Sequence, residues 1–175
     1  MIKIKRVRST KIGDIFECVI NAEEKCYLQY IISDMSQLNC DVVRVFRKKY
    51  PLSETPSLCT ILDDDILFYI HCDSKAGIIK NVWSLYGNDS NVGDINNVFF
   101  RMPLNPENMH DATTSGWVVW SINGELIQIE RLTAEQKSYG LGYVFPVELV
   151  FQIINGSDSR FRSCFVTAQV PDMSN

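Results

Sequence analysis

Lys11-Ile12-Gly13-Asp14-Ile15-Phe16-Glu17-Cys18-Val19-Ile20 is the stretch on which the fold turns. A Gly-Asp turn tips directly into an apolar strand, Ile15 to Ile20, and a polar Asn21-Ala22-Glu23-Glu24 connection ends it. A second strand follows from Lys25 to Ser33, in which Cys26, Leu28, Tyr30 and Ile32 alternate with Tyr27, Gln29 and Ile31. Both faces are apolar, which predicts a central strand covered on each side. The chain thus opens its core as a β-hairpin.

Working outward, residues 2–7 alternate apolar and charged and read as a half-buried strand. Asp41 to Phe46 is another strand, with Val43 and Val45 on one face and Val42 and Phe46 on the other. Tyr50 to Thr60 carries two prolines and is a connection, with a short helical turn over Ser57 to Leu62. Ile66 to His71 is a strand. Ala76, Ile79, Trp83 and Tyr86 recur at three- and four-residue steps, so Ser74 to Tyr86 is predicted helical, although Gly77 weakens it. Gly87 to Asn91 is a loop by composition, Val98 to Arg101 a short strand, and residues 103–115 an irregular loop.

Asn123-Gly124 lies between Trp117–Ile122 and Leu126–Ile129 and predicts a type I′ hairpin turn. Thr133-Ala134-Glu135-Gln136 is a candidate capping box. Pro146 to Asn155 is a helix with proline at its start and Gly156 just past its end. Val147, Val150, Phe151 and Ile154 form the stripe that docks on the sheet. A last strand is expected over Phe161 to Val166. The predicted class is α+β: a single domain over residues 1–175, with a bent, mainly antiparallel and partly barrel-like sheet packed by one or two helices.

With 46% hydrophobic and 22% charged residues, the composition is that of a globular domain and excludes overall disorder. No apolar h-region follows Met1, and no uncharged run is long enough to span a membrane. A cytoplasmic location and no membrane partner are the expectations. The six cysteines at 18, 26, 40, 59, 72 and 164 contain no C-x-x-C pair, so reduced thiols serving as small core residues are expected.

Charge is uneven along the chain. Ten Lys/Arg face six Asp/Glu up to residue 49, and seven face fifteen beyond it. Basic residues cluster at Lys3, Lys5, Arg6, Arg8 and Lys11 and again at Arg44, Arg47, Lys48 and Lys49. A sequence pI near 5.2 and the lack of an aromatic-basic RNA-binding motif argue against a nucleic-acid partner. Solvated strand edges account for the basic clusters.

Catalytic groups are sparse. His71 and His110 are the two histidines. His71-Cys72-Asp73 with Cys59 offers metal-capable atoms, but without the spacing of a zinc site. Adjacent residues on a strand point to opposite faces, so His71 and Cys72 make a poor nucleophile–base pair. Asp63-Asp64-Asp65 suits a hard cation or, without calcium-loop spacing, a solvated acidic turn. Ser115-Gly116 lacks a nucleophile elbow, and Gly140-Leu141-Gly142 lacks the rest of a dinucleotide loop. No catalytic residue, cofactor or metal is therefore assigned. Trp117 and Trp120 differ by three in a strand and face opposite sides, so one is core and the other an interface or second-core residue.

Lys11-Ile12-Gly13-Asp14-Ile15-Phe16 followed by Tyr27-Leu28-Gln29-Tyr30-Ile31 resembles the opening of the immunity protein 26 family, in which a Gly-Asp-hydrophobic-Phe turn precedes a long aromatic strand. Gly77 to Trp83 and the closing Pro146–Gly156 helix are similar to the family as well. The resemblance implies a bacterial immunity protein that binds and neutralises a cognate polymorphic toxin, and that is not an enzyme. An acidic surface steers a basic partner. The expected contact surface is therefore the acidic loop region: Asp63, Asp64, Asp65, Asp89, Asp94, Glu107 and Asp111. The alternatives are a small intracellular protein- or ligand-binding module and a metal-dependent hydrolase built on His71 and Cys72.

Overall fold

The first strand, β1 (Asp14–Val19), is launched by the Gly13 turn. Gly13 has φ +88, a conformation that costs glycine little, and Asp14 closes the turn by accepting from the Lys11 N–H at 2.9 Å. β2 (Glu24–Asp34) returns antiparallel, with Cys18 opposite Cys26. Asn21 shapes their loop, its side-chain oxygen accepting from the N–H groups of Glu23 and Glu24 at 2.8 and 2.9 Å. The chain continues through β3 (Cys40–Phe46), the two-residue β4 (Tyr50–Pro51), α1 (Leu58–Leu62), β5 (Ile66–His71), α2 (Ser74–Ile79) and β6 (Ser84–Asn88). β7 (Phe99–Pro103), β8 (Trp117–Ser121), β9 (Ile127–Ile129), β10 (Gly140–Leu141) and α3 (Val147–Asn155) complete it. The computed structural model describes residues 9–108, 111 and 113–157; the strands expected over 2–7 and 161–166, together with His110 and Cys164, lie outside these.

The larger sheet runs β5-β3-β2-β1-β6, with β4 on the end of β2, and the smaller runs β10-β7-β8-β9. All pairs are antiparallel except β10 with β7. The architecture is α+β, as expected. Register shifts at Ile15/Phe16, Tyr30/Ile32 and Val45/Phe46 bend the larger sheet. The two sheets do not close into a barrel, so the partly barrel-like expectation is corrected.

β2 is central and covered on both sides. Cys26, Leu28 and Tyr30 pack with Phe16, Val43, Val45 and the α3 residues Val147, Val150 and Ile154. Tyr27 faces the other way, into a cluster with Ile15, Phe46, Tyr50 and Ile61 of α1. Past the shift at Tyr30/Ile32, Ile31 joins Val42 in a third cluster with Val98, Phe100, Val118 and Trp120 of the smaller sheet. The bulge hands β2 from one core to the next. Trp117 and Trp120 do face opposite sides, and both are buried: Trp117 packs with Val119 and Leu132 in a second core.

Three local expectations are modified. The second helix ends at Ile79 and does not reach Tyr86. Asn81 takes φ +56 and Val82 N–H bonds back to Gly77 O at 2.9 Å, so Leu85 and Tyr86 are released into β6. The Asn123-Gly124 turn is not type I′: Asn123 alone has positive φ, +57, and Gly124 N–H closes onto Ser121 O, which is a type II pattern. Asn123 serves tertiary structure there, accepting from Met35 N–H at 2.7 Å and donating to Ser33 O at 3.1 Å. Pro146 sits one position before α3 rather than inside it, while Gly156 ends the helix at φ +74 as expected. The capping box is realised: Gln136 N–H reaches Thr133 Oγ1 at 3.2 Å, and Thr133 N–H reaches Gln136 Oε1 at 2.9 Å.

Candidate functional site

The acidic loop residues fall in separate groups. Asp63 caps the end of α1, and its carboxylate accepts from the Cys59 thiol at 3.6 Å. Asp64 accepts from Lys48 N–H at 2.6 Å, and the Asp65 carbonyl accepts from Arg47 N–H at 2.9 Å. Asp89 accepts from Asn91 N–H through its side chain and from Gln29 through its carbonyl. Asp63, by its charge and then its hydrogen bond, raises the thiol pKa of the exposed Cys59, with the charge of Asp89 a smaller cause, so acidic charge lies beside α1. Asp64 and Glu54 add to it at Tyr50, where burial is the larger cause of the raised pKa.

Asp94 lies before the start of β7, capping the turn at Ile95–Asn97. Glu107 and Asp111 lie beyond the other end of that strand, on the β7–β8 connection. Asp111 is held below the usual carboxylate range by hydrogen bonds from the Thr113 hydroxyl and N–H. The fold brings Asp63, Asp64, Asp65 and Asp89 around α1 and leaves Glu107 and Asp111 apart from them.

The metal and hydrolase candidates separate completely. Cys59 is exposed, whereas His71 and Cys72 are fully buried. Cys72 joins the core under α3, where burial raises its pKa far above the ordinary thiol value. His71 packs on the Phe100 ring at 4.1 Å between the sheets. Among the described residues no group of three or more His, Cys, Asp or Glu side chains is gathered to hold a metal ion.

His71 belongs instead to a buried polar network that the sequence did not disclose. Asp34, at the end of β2, accepts at Oδ2 from His71 Nε2 at 3.1 Å and from Trp120 Nε1 at 3.0 Å. Its Oδ1 accepts from Asn123 N–H and the Ser36 hydroxyl, each at 3.3 Å. A carboxylate only accepts, so the His71 proton sits on Nε2, and Nδ1 is left buried without a partner. Burial lowers the His71 pKa, outweighing the opposing pull of Asp34. For Asp34, burial works to raise the pKa, but the bonds from Trp120 and His71 hold it low.

Both shifts have the same consequence. His71 stays neutral in the fold, so its contribution is complete above about pH 6.5 and is lost as pH falls below that value, where the unfolded chain gains the proton first. Asp34 contributes above about pH 4 and loses its share below it. Urea midpoints should therefore drop between pH 7 and pH 5 in the native chain and drop less in His71→Gln. Equal slopes in the two proteins would contradict the assignment.

A concave feature lies elsewhere. A groove of about 650 Å³ opens between α3 and the end of the larger sheet where β1 leaves and β6 begins. Val19, Val82, Trp83 and Phe151 supply its apolar surface, and Glu17 and Glu148 its charged groups. Glu17 is anchored by Lys25 at 2.9 Å and by the Tyr27 hydroxyl at 2.9 Å. Glu148 meets Lys80 at 2.7 Å in an exposed pair. Sequence reading missed this groove because its residues come from three segments whose meeting depends on α2 stopping at Ile79. No helix among the described residues is long and apolar enough to cross a membrane. Comparison with family models, with curated proteins and with solved structures returns no match.

Proposed function

We propose that this chain is a bacterial immunity protein that binds and neutralises a cognate polymorphic toxin in the cytoplasm, with no catalytic chemistry of its own. The reading starts from the resemblance of the Gly13-Asp14-Ile15-Phe16 opening and the Tyr27–Ile31 strand to the immunity protein 26 family. The observation that carries it furthest is the acidic turn Asp63-Asp64-Asp65 at the end of α1, where Asp63 caps the helix and Asp64 is fixed by the Lys48 N–H at 2.6 Å. Through Ile61, α1 packs on the larger sheet beside Tyr27 and Phe46, so these charges are carried on a firmly seated element. Fixed charge on a rigid platform accelerates encounter with a basic protein and selects among partners. A protein is thus the preferred partner over nucleic acid or a membrane.

Co-expression with the product of the gene immediately upstream tests the reading: the two should co-purify, and toxicity should be lost. Reversing Asp63, Asp64 and Asp65 to lysine should slow association by roughly tenfold or more at low salt, with a smaller effect on dissociation. Unchanged association kinetics would reject this surface. The alternative of a protein- or ligand-binding module draws on the groove beside α3, whose volume is that of an ordinary ligand site.

A further inference from the structure

We infer that the groove between α3 and the β1–β6 end of the larger sheet binds an extended segment of a partner protein in which cationic side chains accompany apolar ones. The inference rests on the proposal that the chain works by binding a protein.

Three observations converge on this occupant. Among the described residues that line the groove, the charged groups are two carboxylates, Glu17 and Glu148, with no cation. Glu17 is held in place by Lys25 and Tyr27, so it offers a fixed acceptor. Glu148 is engaged by Lys80 with both side chains half exposed, a weak pairing that an incoming guanidinium displaces at little cost.

The surface between these carboxylate-bearing elements mixes apolar side chains with the polar Asn81, Ser84, Gln152 and Asn155. Trp83 forms part of it with its indole N–H fixed on Ser74 O at 2.9 Å, Phe151 is half-buried, and Val19 remains 49% exposed at the strand end. An arginine or lysine stem covers such surface while its head meets a carboxylate.

The third observation is the strand edge. β6 ends the larger sheet, and among the described residues it pairs only with β1. A sheet edge presents a row of backbone donors and acceptors that takes an added strand, with alternate side chains falling on one face. Ser84, the first residue of β6, lies in the groove, so a strand added along this edge runs into the groove at that end.

The test uses the full chain and a short fluorescent peptide of alternating arginine and phenylalanine, with a glutamate-phenylalanine counterpart, followed by anisotropy. The native chain should bind the basic peptide and ignore the acidic one. Glu148→Lys, at an exposed position, should weaken binding by roughly tenfold or more through like-charge repulsion. Asn155→Trp, which fills the groove, should do the same, and Glu125→Lys, the same charge change at an exposed position in neither proposed surface, should leave it unchanged.

Equal binding of the two peptides, or native affinity in Glu148→Lys, overturns the inference. So does tighter peptide binding when Arg160 and Arg162 are both changed to glutamate, because the chain's own tail is then the occupant. A self-association dissolved by Glu148→Lys likewise assigns the groove to a second copy. The two proposals fail separately. Peptide binding that obeys these variants without co-purification of the upstream product removes the toxin reading and keeps the groove. Co-purification that ignores Glu148→Lys removes the groove and keeps the toxin reading.

Discussion

Asp34→Ala should destabilise the protein by about 3–5 kcal/mol, the range for removing one partner of a buried charged network. The side chain is fully buried and accepts from four donors on three segments: Trp120 and the Asn123 backbone at the end of β8, His71 of β5, and Ser36. Alanine leaves the buried N–H groups of His71 and Trp120 without an acceptor, each costing the desolvation of its donor, while the exposed Ser36 and Asn123 turn to water. The damage falls where the two sheets meet, so they should loosen together. Asp34→Asn should cost less, since one oxygen still accepts while its amide hydrogens confront a donor. Urea denaturation at pH 7 measures both, and an alanine variant within about 1 kcal/mol of the native chain would refute the network's role.

Gly77→Ala should destabilise by about 2 kcal/mol, opposite in sign to the usual preference for alanine in a helix. A Cβ on Gly77 overlaps the Trp83 indole, which lies flat on the α2 backbone with its N–H bonded to Ser74 O. The ring is buried against Phe16, at 6.1 Å between centroids, and its N–H bond to Ser74 O resists any shift toward the groove. In a Trp83→Phe background the same change should cost much less. The cycle of the two mutations should return a coupling of about 1–2 kcal/mol. Additive effects would show that Gly77 is there for another reason.

These two sites explain why some expectations held and others shifted. Alternation in β2 and the stripe on α3 are local patterns imposed by burial, and a pattern of period 2 or 3.6 reads directly off the chain. The Thr133-Gln136 capping box is legible for the same reason, since caps act within one turn. The Ala76–Tyr86 periodicity misled because Trp83 is spaced as a helical residue but returns to cover Gly77 from outside the helix. Asn123-Gly124 misled because the Asn123 side chain is recruited by Met35 and Ser33, and this docking overrides the turn type the dipeptide prefers.

The sites divide along the same line. The acidic residues of the loops were visible as composition, yet composition carries no position, and the fold collects Asp63 to Asp65 with Asp89 while leaving Glu107 and Asp111 elsewhere. Asp34, buried at 0% exposure, stands out in sequence only as one acid after an apolar strand.

By itself the sequence determined the class of the molecule: a doubly covered central strand, its hairpin partner and a closing amphipathic helix. Those follow from hydrophobic period and local capping, whose physics acts over a few residues. Tertiary structure alone decided which polar groups meet, because Asp34, His71 and Trp120, or Glu17, Trp83 and Glu148, come together only when distant segments bury apolar surface against one another. The free energy that drives that burial is non-directional, so the pairings it creates leave no mark in the local pattern.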